Sequence, residues 1–100
     1  MQATATLRVS GGEARIVAVG EFDLATASTL ASVLEQACAM GLSVTLDLAQ
    51  VDFIDATAMR SLDWARSRLH AAGHDLTVVH PQPLIARALE IGGFADVVSI

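Results

Sequence analysis

The sequence predicts an α/β fold of two layers, in which helices cover one face of a mixed β-sheet. Segments with the two-residue hydrophobic period of strands alternate with segments that have the longer period of helices. The helical segments link successive strands, and linkers of that length require parallel strands and right-handed crossovers. Several strands alternate apolar residues with Thr, Ser or Asp, which indicates that one face of the sheet is open to water.

The first two predicted strands, at 3–9 and 15–19, form a β-hairpin. The first strand alternates apolar residues with threonine and arginine, as a half-buried strand does. The Ser-Gly-Gly-Glu segment between the two strands is typical of a turn. Gly20 then marks a bulge or a bend, and Asp23 begins an acidic loop.

Helices and strands alternate through the rest of the chain. Glycines mark the ends of the helices, and prolines suit the first turn of the last one. The predicted elements are a helix from Ala25 to Gly41, a strand from Leu42 to Leu48, a helix from Asp55 to about Ala72, a strand from Leu76 to His80, a helix from Pro81 to Gly92 and a short strand from Val97 to Ile100. The predicted order is therefore β-β-α-β-α-β-α-β. On the second helix the residues predicted to face the core are Met59, Leu62, Ala65 and Leu69.

The composition predicts one folded domain over residues 1–100. A hydrophobic content of 53% with 17% charged residues is ample for a core. The net charge of -5 argues against nucleic acid as a partner, because phosphate binding needs a basic patch. No segment approaches the roughly 20 apolar residues that cross a bilayer, and no signal peptide is recognisable, so we expect a cytoplasmic protein. The single cysteine, Cys38, excludes an intrachain disulfide.

No motif of an enzyme, cofactor or metal site is present, so the sequence predicts a protein without catalytic activity or cofactor. Neither a G-x-G-x-x-G nor a Walker motif occurs, and no serine stands in a G-x-S-x-G frame. His70 and His74 are four residues apart, but no third metal ligand accompanies them. We interpret them as surface histidines.

The segment that joins the third strand to the second helix carries the candidate functional residues. Asp55 stands at the expected N-cap, and the hydroxyl of Thr57 follows two residues later. The carboxyl ends of parallel strands meet at one edge of a sheet, so this turn should lie beside the loop that begins at Asp23. We expect Phe53 and Ile54 to anchor the turn in the core. An acidic surface at a helix start suits a protein partner better than a substrate pocket.

At these residues the sequence resembles the STAS domain family and, within it, the bacterial anti-sigma factor antagonists. The most specific segments are Gly-Glu-Phe-Asp-Leu-Ala-Thr-Ala at 20–27, Val-Thr-Leu-Asp-Leu-Ala-Gln-Val-Asp-Phe-Ile-Asp at 44–55 and Leu-Glu-Ile-Gly-Gly-Phe-Ala-Asp-Val-Val at 89–98. The resemblance covers essentially the whole chain and implies a STAS-like fold with the element order given above. It also implies a cytoplasmic regulator of transcription, of the kind that acts in stress responses.

The resemblance implies a partner and a switch. The expected partner is an anti-sigma factor, a serine/threonine kinase of the ATP-binding anti-sigma type, whose capture frees a sigma factor. In the family the kinase then phosphorylates a serine just after the aspartate of the central turn, and the added charge of about -1.5 to -2 separates the complex. The residues that the resemblance assigns to partner binding are Asp23, Asp55, Ala56, Thr57, Met59 and Arg60.

The chain departs from the family pattern at the phosphorylated position. The usual turn is Asp-Ser-Ser/Thr-Gly-Leu, whereas residues 55–59 read Asp-Ala-Thr-Ala-Met, so Ala56 occupies the acceptor position and Ala58 replaces the glycine. Three interpretations stay open: an antagonist without this switch, phosphorylation of Thr57 instead, or control from elsewhere, such as expression level. As a purely structural alternative, Thr57 helps to cap the helix.

A second functional hypothesis also stays open. In it the chain is an accessory STAS subunit that docks on the ATPase of an ABC transporter or joins a multi-STAS signalling assembly. A homodimer through the open sheet face is compatible with either hypothesis. Neither nucleic acid nor a membrane is an expected partner.

Overall fold

The computed structural model describes residues 3–99 and confirms the predicted two-layer α/β architecture. The strands are β1 (Thr4–Ser10), β2 (Glu13–Phe22), β3 (Ser43–Ile54) and β4 (Leu76–Val79). The helices are α1 (Ala27–Cys38), α2 (Ala56–Ala71) and α3 (Pro83–Ile91), and a short 3-10 helix (Ala95–Val97) follows. Within the described residues, no helix combines the length and apolar character that crossing a bilayer requires.

The four strands lie in the order β1-β2-β3-β4. β1 and β2 are antiparallel, and the two pairs β2–β3 and β3–β4 are parallel. The chain moves across the sheet in one direction, from β2 to β3 and then to β4. Because crossovers between parallel strands are right-handed, α1 and α2 lie on the same face of the sheet. The same rule places α3 on that face, because it links β4 to the parallel bridge at Val98. Within residues 3–99, the opposite face is therefore free of helices.

The end of β2 contains the predicted irregularity. The pairing of β2 with β3 shifts between Val17 and Val19 and again between Gly20 and Glu21, and Gly20 has a φ of 107°, which only glycine adopts without strain. Pairing nevertheless continues to the ends of both strands. β3 therefore extends to Ile54, well past the predicted end at Leu48.

The core lies between the sheet and the helices. Its largest fully buried side chains are Phe22, Ile16, Leu30, Leu34, Leu46, Leu48, Leu62, Leu69, Leu89, Val44, Val51 and Val78. On α2, Ala58 is fully buried, whereas Met59, which we predicted to face inward, is half-buried at the edge of the core. Residues 58 and 59 are both neighbours of Leu62 on the helix surface, at i-4 and i-3. The smaller of the two side chains, that of Ala58, faces the core. Cys38 packs against the core, and burial raises the pKa of its thiol.

The last predicted strand is reduced to one residue. The 3-10 helix occupies the segment through Val97, and only Val98 forms a parallel bridge with Val78. The N–H of Ser99 donates to the Val78 carbonyl over 2.8 Å. Ile100 lies outside the described residues.

Candidate functional site

The loop after β2 and the turn after β3 lie side by side, as their positions at the carboxyl ends of neighbouring parallel strands predict. The N–H of Asp55, the residue that directly follows β3, donates a hydrogen bond over 3.0 Å to the carbonyl of Phe22, the last residue of β2. The bond joins the two segments at the edge of the sheet. Together they form the surface that we call the acidic turn, comprising residues 23–26 and 55–57.

Asp23 organises the first half of the acidic turn. Its Oδ1 accepts hydrogen bonds from the backbone N–H groups of Ala25, at 2.9 Å, and Thr26, at 3.1 Å. The Thr26 hydroxyl accepts from the Asp23 N–H at 3.0 Å and lies 2.8 Å from the Glu21 carbonyl oxygen. This network links Asp23 and Thr26 across the loop, and Leu24 at its tip is left 79% exposed.

Asp55 caps α2, as the sequence predicts. Its backbone is extended, and its Oδ1 accepts a hydrogen bond from the Ala58 N–H over 3.0 Å. Its carbonyl accepts the first bond of the helix, from the Met59 N–H, also over 3.0 Å. The carboxylate therefore holds the start of α2 in place and adds negative charge where the helix dipole favours it.

Ala56 and Thr57 are the first two residues of α2. Ala56 is exposed, so its methyl group is presented at the helix start. Thr57 is half-buried, and within residues 3–99 its hydroxyl makes no hydrogen bond. The capping bond is made by Asp55, so the structure does not support the interpretation of Thr57 as the cap.

Met59 and Arg60 lie on the next turn of α2, at the side of the acidic turn. Met59 lines a groove of about 290 Å³ between α2 and the end of α3. The other lining residues are Ala56, Arg60, Asp63, Arg66, Gly92 and Phe94. The groove thus connects Ala56, Met59 and Arg60, while Asp23 contributes to the surface from the neighbouring loop.

Arg66 fixes one wall of this groove. Its guanidinium donates to Asp63 at 2.8 Å, to Asp96 at 2.9 Å and to the Gly93 carbonyl at 2.9 Å, and lies 4.4 Å from the centre of the Phe94 ring. The hydrogen bond to Asp63 and the nearby carboxylate charges raise the pKa of Arg66, so it stays protonated. These contacts tie the segment after α3 to α2.

The structure contradicts the predicted position of Phe53. We expected this side chain in the core, yet it is 45% exposed, whereas Ile54 is buried as predicted. The cause is the bulge near the end of β3: Gly20 pairs with Val51 and Glu21 pairs with Phe53, so Asp52 is an extra residue that changes the alternation. Phe53 therefore adds apolar surface near the acidic turn.

Asp55→Ala should lower the free energy of unfolding by about 1 kcal/mol, because the Ala58 N–H would lose its partner. Urea denaturation of the wild type and the variant measures this difference. Asp55→Ser, which keeps an oxygen able to accept the bond, is the matched control and should retain most of the stability. Equal destabilisation by both substitutions would show that the carboxylate matters for some reason other than capping.

Comparisons with known proteins agree with this fold. The family model for the STAS domain matches residues 5–100. The chain is similar to the anti-sigma factor antagonist SpoIIAA in its unphosphorylated form, with a TM-score of 0.82, 15% identity, and coverage of 96% of this chain and 86% of that chain. For the phosphorylated form of the Bacillus cell fate determinant SpoIIAA, the TM-score is 0.76 and the identity 15%, over 96% and 89% of the two chains.

A third solved structure, an anti-sigma factor antagonist from Mycobacterium paratuberculosis, has a TM-score of 0.86 and 20% identity, over 97% of this chain and 83% of that chain. Likeness at these identities establishes the fold alone. A search of curated proteins finds no match.

Proposed function

Since the chain belongs to the STAS domain family, we propose that it is an anti-sigma factor antagonist, which binds an anti-sigma factor and thereby frees a sigma factor. The anti-sigma factor would be a serine/threonine kinase of the ATP-binding type. In this proposal the protein is a cytoplasmic binding module, and it performs no catalytic step of its own.

The acidic turn is the observation that carries the proposal. Its two segments are held together by the bond from Asp55 to Phe22, and each is ordered by its own aspartate. A preorganised surface binds with a smaller entropic cost than a flexible one. Exposed Leu24 and Ala56 supply apolar contact beside acidic groups, a combination that suits a protein partner.

We further propose that this antagonist lacks the phosphorylation switch of its family. Ala56 offers no hydroxyl at the exposed start of α2, where the family carries the acceptor serine. Thr57 is half-buried one position further along the helix, which is unfavourable for a kinase that must reach its oxygen. The bound state would then persist until the amount of antagonist or anti-sigma factor changes.

The test uses the anti-sigma kinases encoded in the same genome. We expect one of them to form a complex with the wild-type protein in isothermal titration calorimetry, and we expect the complex to survive addition of ATP. Failure of every kinase to bind would refute the proposed function. Binding to a transporter ATPase instead would support the accessory-subunit hypothesis.

The missing switch has its own test. Ala56→Ser should become phosphorylated in the presence of the kinase and ATP, and the phosphorylated variant should leave the complex. Radiolabelled phosphate incorporation followed by size-exclusion chromatography measures both steps. Phosphate incorporated by the wild type but not by Thr57→Ala would assign the switch to Thr57 and contradict the proposal.

A further inference from the structure

The helix-free face of the sheet carries two arginines side by side. Arg8 of β1 and Arg15 of β2 are directly opposite each other in the antiparallel ladder, and paired residues point to the same face. Thr6 and Val17 form the next row of that face. These four residues line a shallow trough of about 360 Å³.

The charges in this trough are not balanced. Arg15 donates to Asp47 over 2.9 Å, and the other oxygen of Asp47 accepts from the Ala49 N–H over 3.0 Å. Arg8 is exposed, and within residues 3–99 no carboxylate lies at ion-pair distance from it. Like charges directly opposite on neighbouring strands repel each other. A protein with a net charge of -5 thus keeps a local positive charge on an open sheet face.

From this geometry we propose that the helix-free face binds an acidic segment of a partner protein in an extended conformation. Guanidinium groups bind carboxylates in a planar, bidentate geometry, so Arg8 and the exposed part of Arg15 are suited to this ligand. The arginine row and the Thr6–Val17 row are two residues apart along their strands, about 6.6 Å. Side chains at i and i+2 of an extended segment repeat at the same spacing, so a carboxylate and an apolar residue can occupy the two rows together.

Two observations favour a protein segment over nucleic acid. The trough offers only two cations, one of them already paired, whereas tight binding to a phosphate backbone needs many. The second row consists of a threonine and a valine, which can contact an apolar side chain and carry no charge that could pair with a second phosphate. The site also lies on the face opposite the helices, so it is separate from the acidic turn and independent of the proposed function.

The probe is a fluorescently labelled peptide that repeats Glu-Thr-Val-Thr, which places Glu and Val on one face when extended. Fluorescence anisotropy with the wild-type protein should show saturable binding that weakens with added salt. Arg8→Ala should weaken binding about fivefold, the upper range for an exposed ion pair. Arg87→Ala removes an exposed arginine from α3 and is the matched control, which should leave the affinity unchanged.

Asp47→Asn tests whether Arg15 takes part in binding, because a purely structural role of Arg15 would not make the affinity rise. The amide oxygen can still accept from the Ala49 N–H, but Arg15 loses its internal carboxylate and becomes available to the peptide. The affinity should therefore rise by up to about fivefold. Circular dichroism of all three variants verifies that they are folded.

Several outcomes would overturn the proposal. One is the absence of binding at about 1 mM protein, and another is equal affinity for the peptide in which Gln replaces Glu. Equal affinities of Arg8→Ala and Arg87→Ala would also contradict it. Competition by free glutamate at the peptide's own concentration would assign the trough to a small anion. Tighter binding of a DNA duplex would assign it to nucleic acid, and self-association abolished by Arg8→Ala would assign it to a second copy of this chain.

Discussion

Ala56→Glu is expected to weaken binding of the proposed anti-sigma factor by about a hundredfold or more, because leaving a carboxylate buried and unpaired at an interface costs about 3–5 kcal/mol. Ala56 is exposed at the start of α2, directly after the Asp55 cap. A partner surface that fits a neutral methyl group would remove water from the new carboxylate without offering it a counter-charge. Titration calorimetry with the proposed partner kinase measures the loss.

The same substitution should not weaken the fold. A carboxylate in the first turn of a helix interacts favourably with the helix dipole, by about 0.3–1 kcal/mol, which offsets repulsion from Asp55. Urea denaturation should therefore give an unchanged or slightly higher free energy of unfolding. A drop in stability equal to the loss of binding would mean that the substitution acts through the fold.

Ala56→Gln is the control that separates charge from size. Glutamine has almost the same volume as glutamate but carries no charge, so it should lose much less affinity. Equal losses for both variants would attribute the effect to steric exclusion. Unchanged affinity for Ala56→Glu would show that Ala56 lies outside the interface.

The fold could be predicted because its signals are local. Hydrophobic periodicity, glycine stops and crossover length together specify the element order, and those patterns are properties of short segments. The ends of β3 and of the last segment could not be predicted in this way. β3 continues to Ile54 because β2 remains available as a partner, and Val98 forms only one bridge because a 3-10 helix precedes it. Both outcomes depend on what lies beside the segment.

The candidate site was predictable only in part. The Asp55 cap follows from residue type and position, and the structure contains the predicted bond. Phe53 could not be placed, since one extra residue in a bulge changes its face. The exposure of Leu24 could not be predicted, because it depends on the hydrogen bonds that Asp23 makes within the loop. Opposed Arg8 and Arg15 likewise become visible only once the hairpin register is known.

The second large effect is expected at Phe22, the last residue of β2. Its side chain is fully buried, so Phe22→Ala should lower the free energy of unfolding by about 3–5 kcal/mol. Domains of this size have about 5–15 kcal/mol in total, so the variant would lie near the limit of stability. Urea denaturation measures the change. A loss below about 1 kcal/mol would contradict the assignment of Phe22 to the core.

Leu24→Ala is the matched control, because Leu24 lies two residues from Phe22 and is 79% exposed. Stability should change by no more than about 0.5 kcal/mol. Binding of the anti-sigma factor should fall about tenfold if the partner covers this side chain, since burying a leucine contributes roughly 1.5–3 kcal/mol. If Leu24→Ala loses binding but keeps its stability, while Phe22→Ala loses stability, then Leu24 belongs to the docking surface and Phe22 to the core beneath it. Unchanged binding for Leu24→Ala would place the interface on the α2 side of the acidic turn, around Ala56 and Met59.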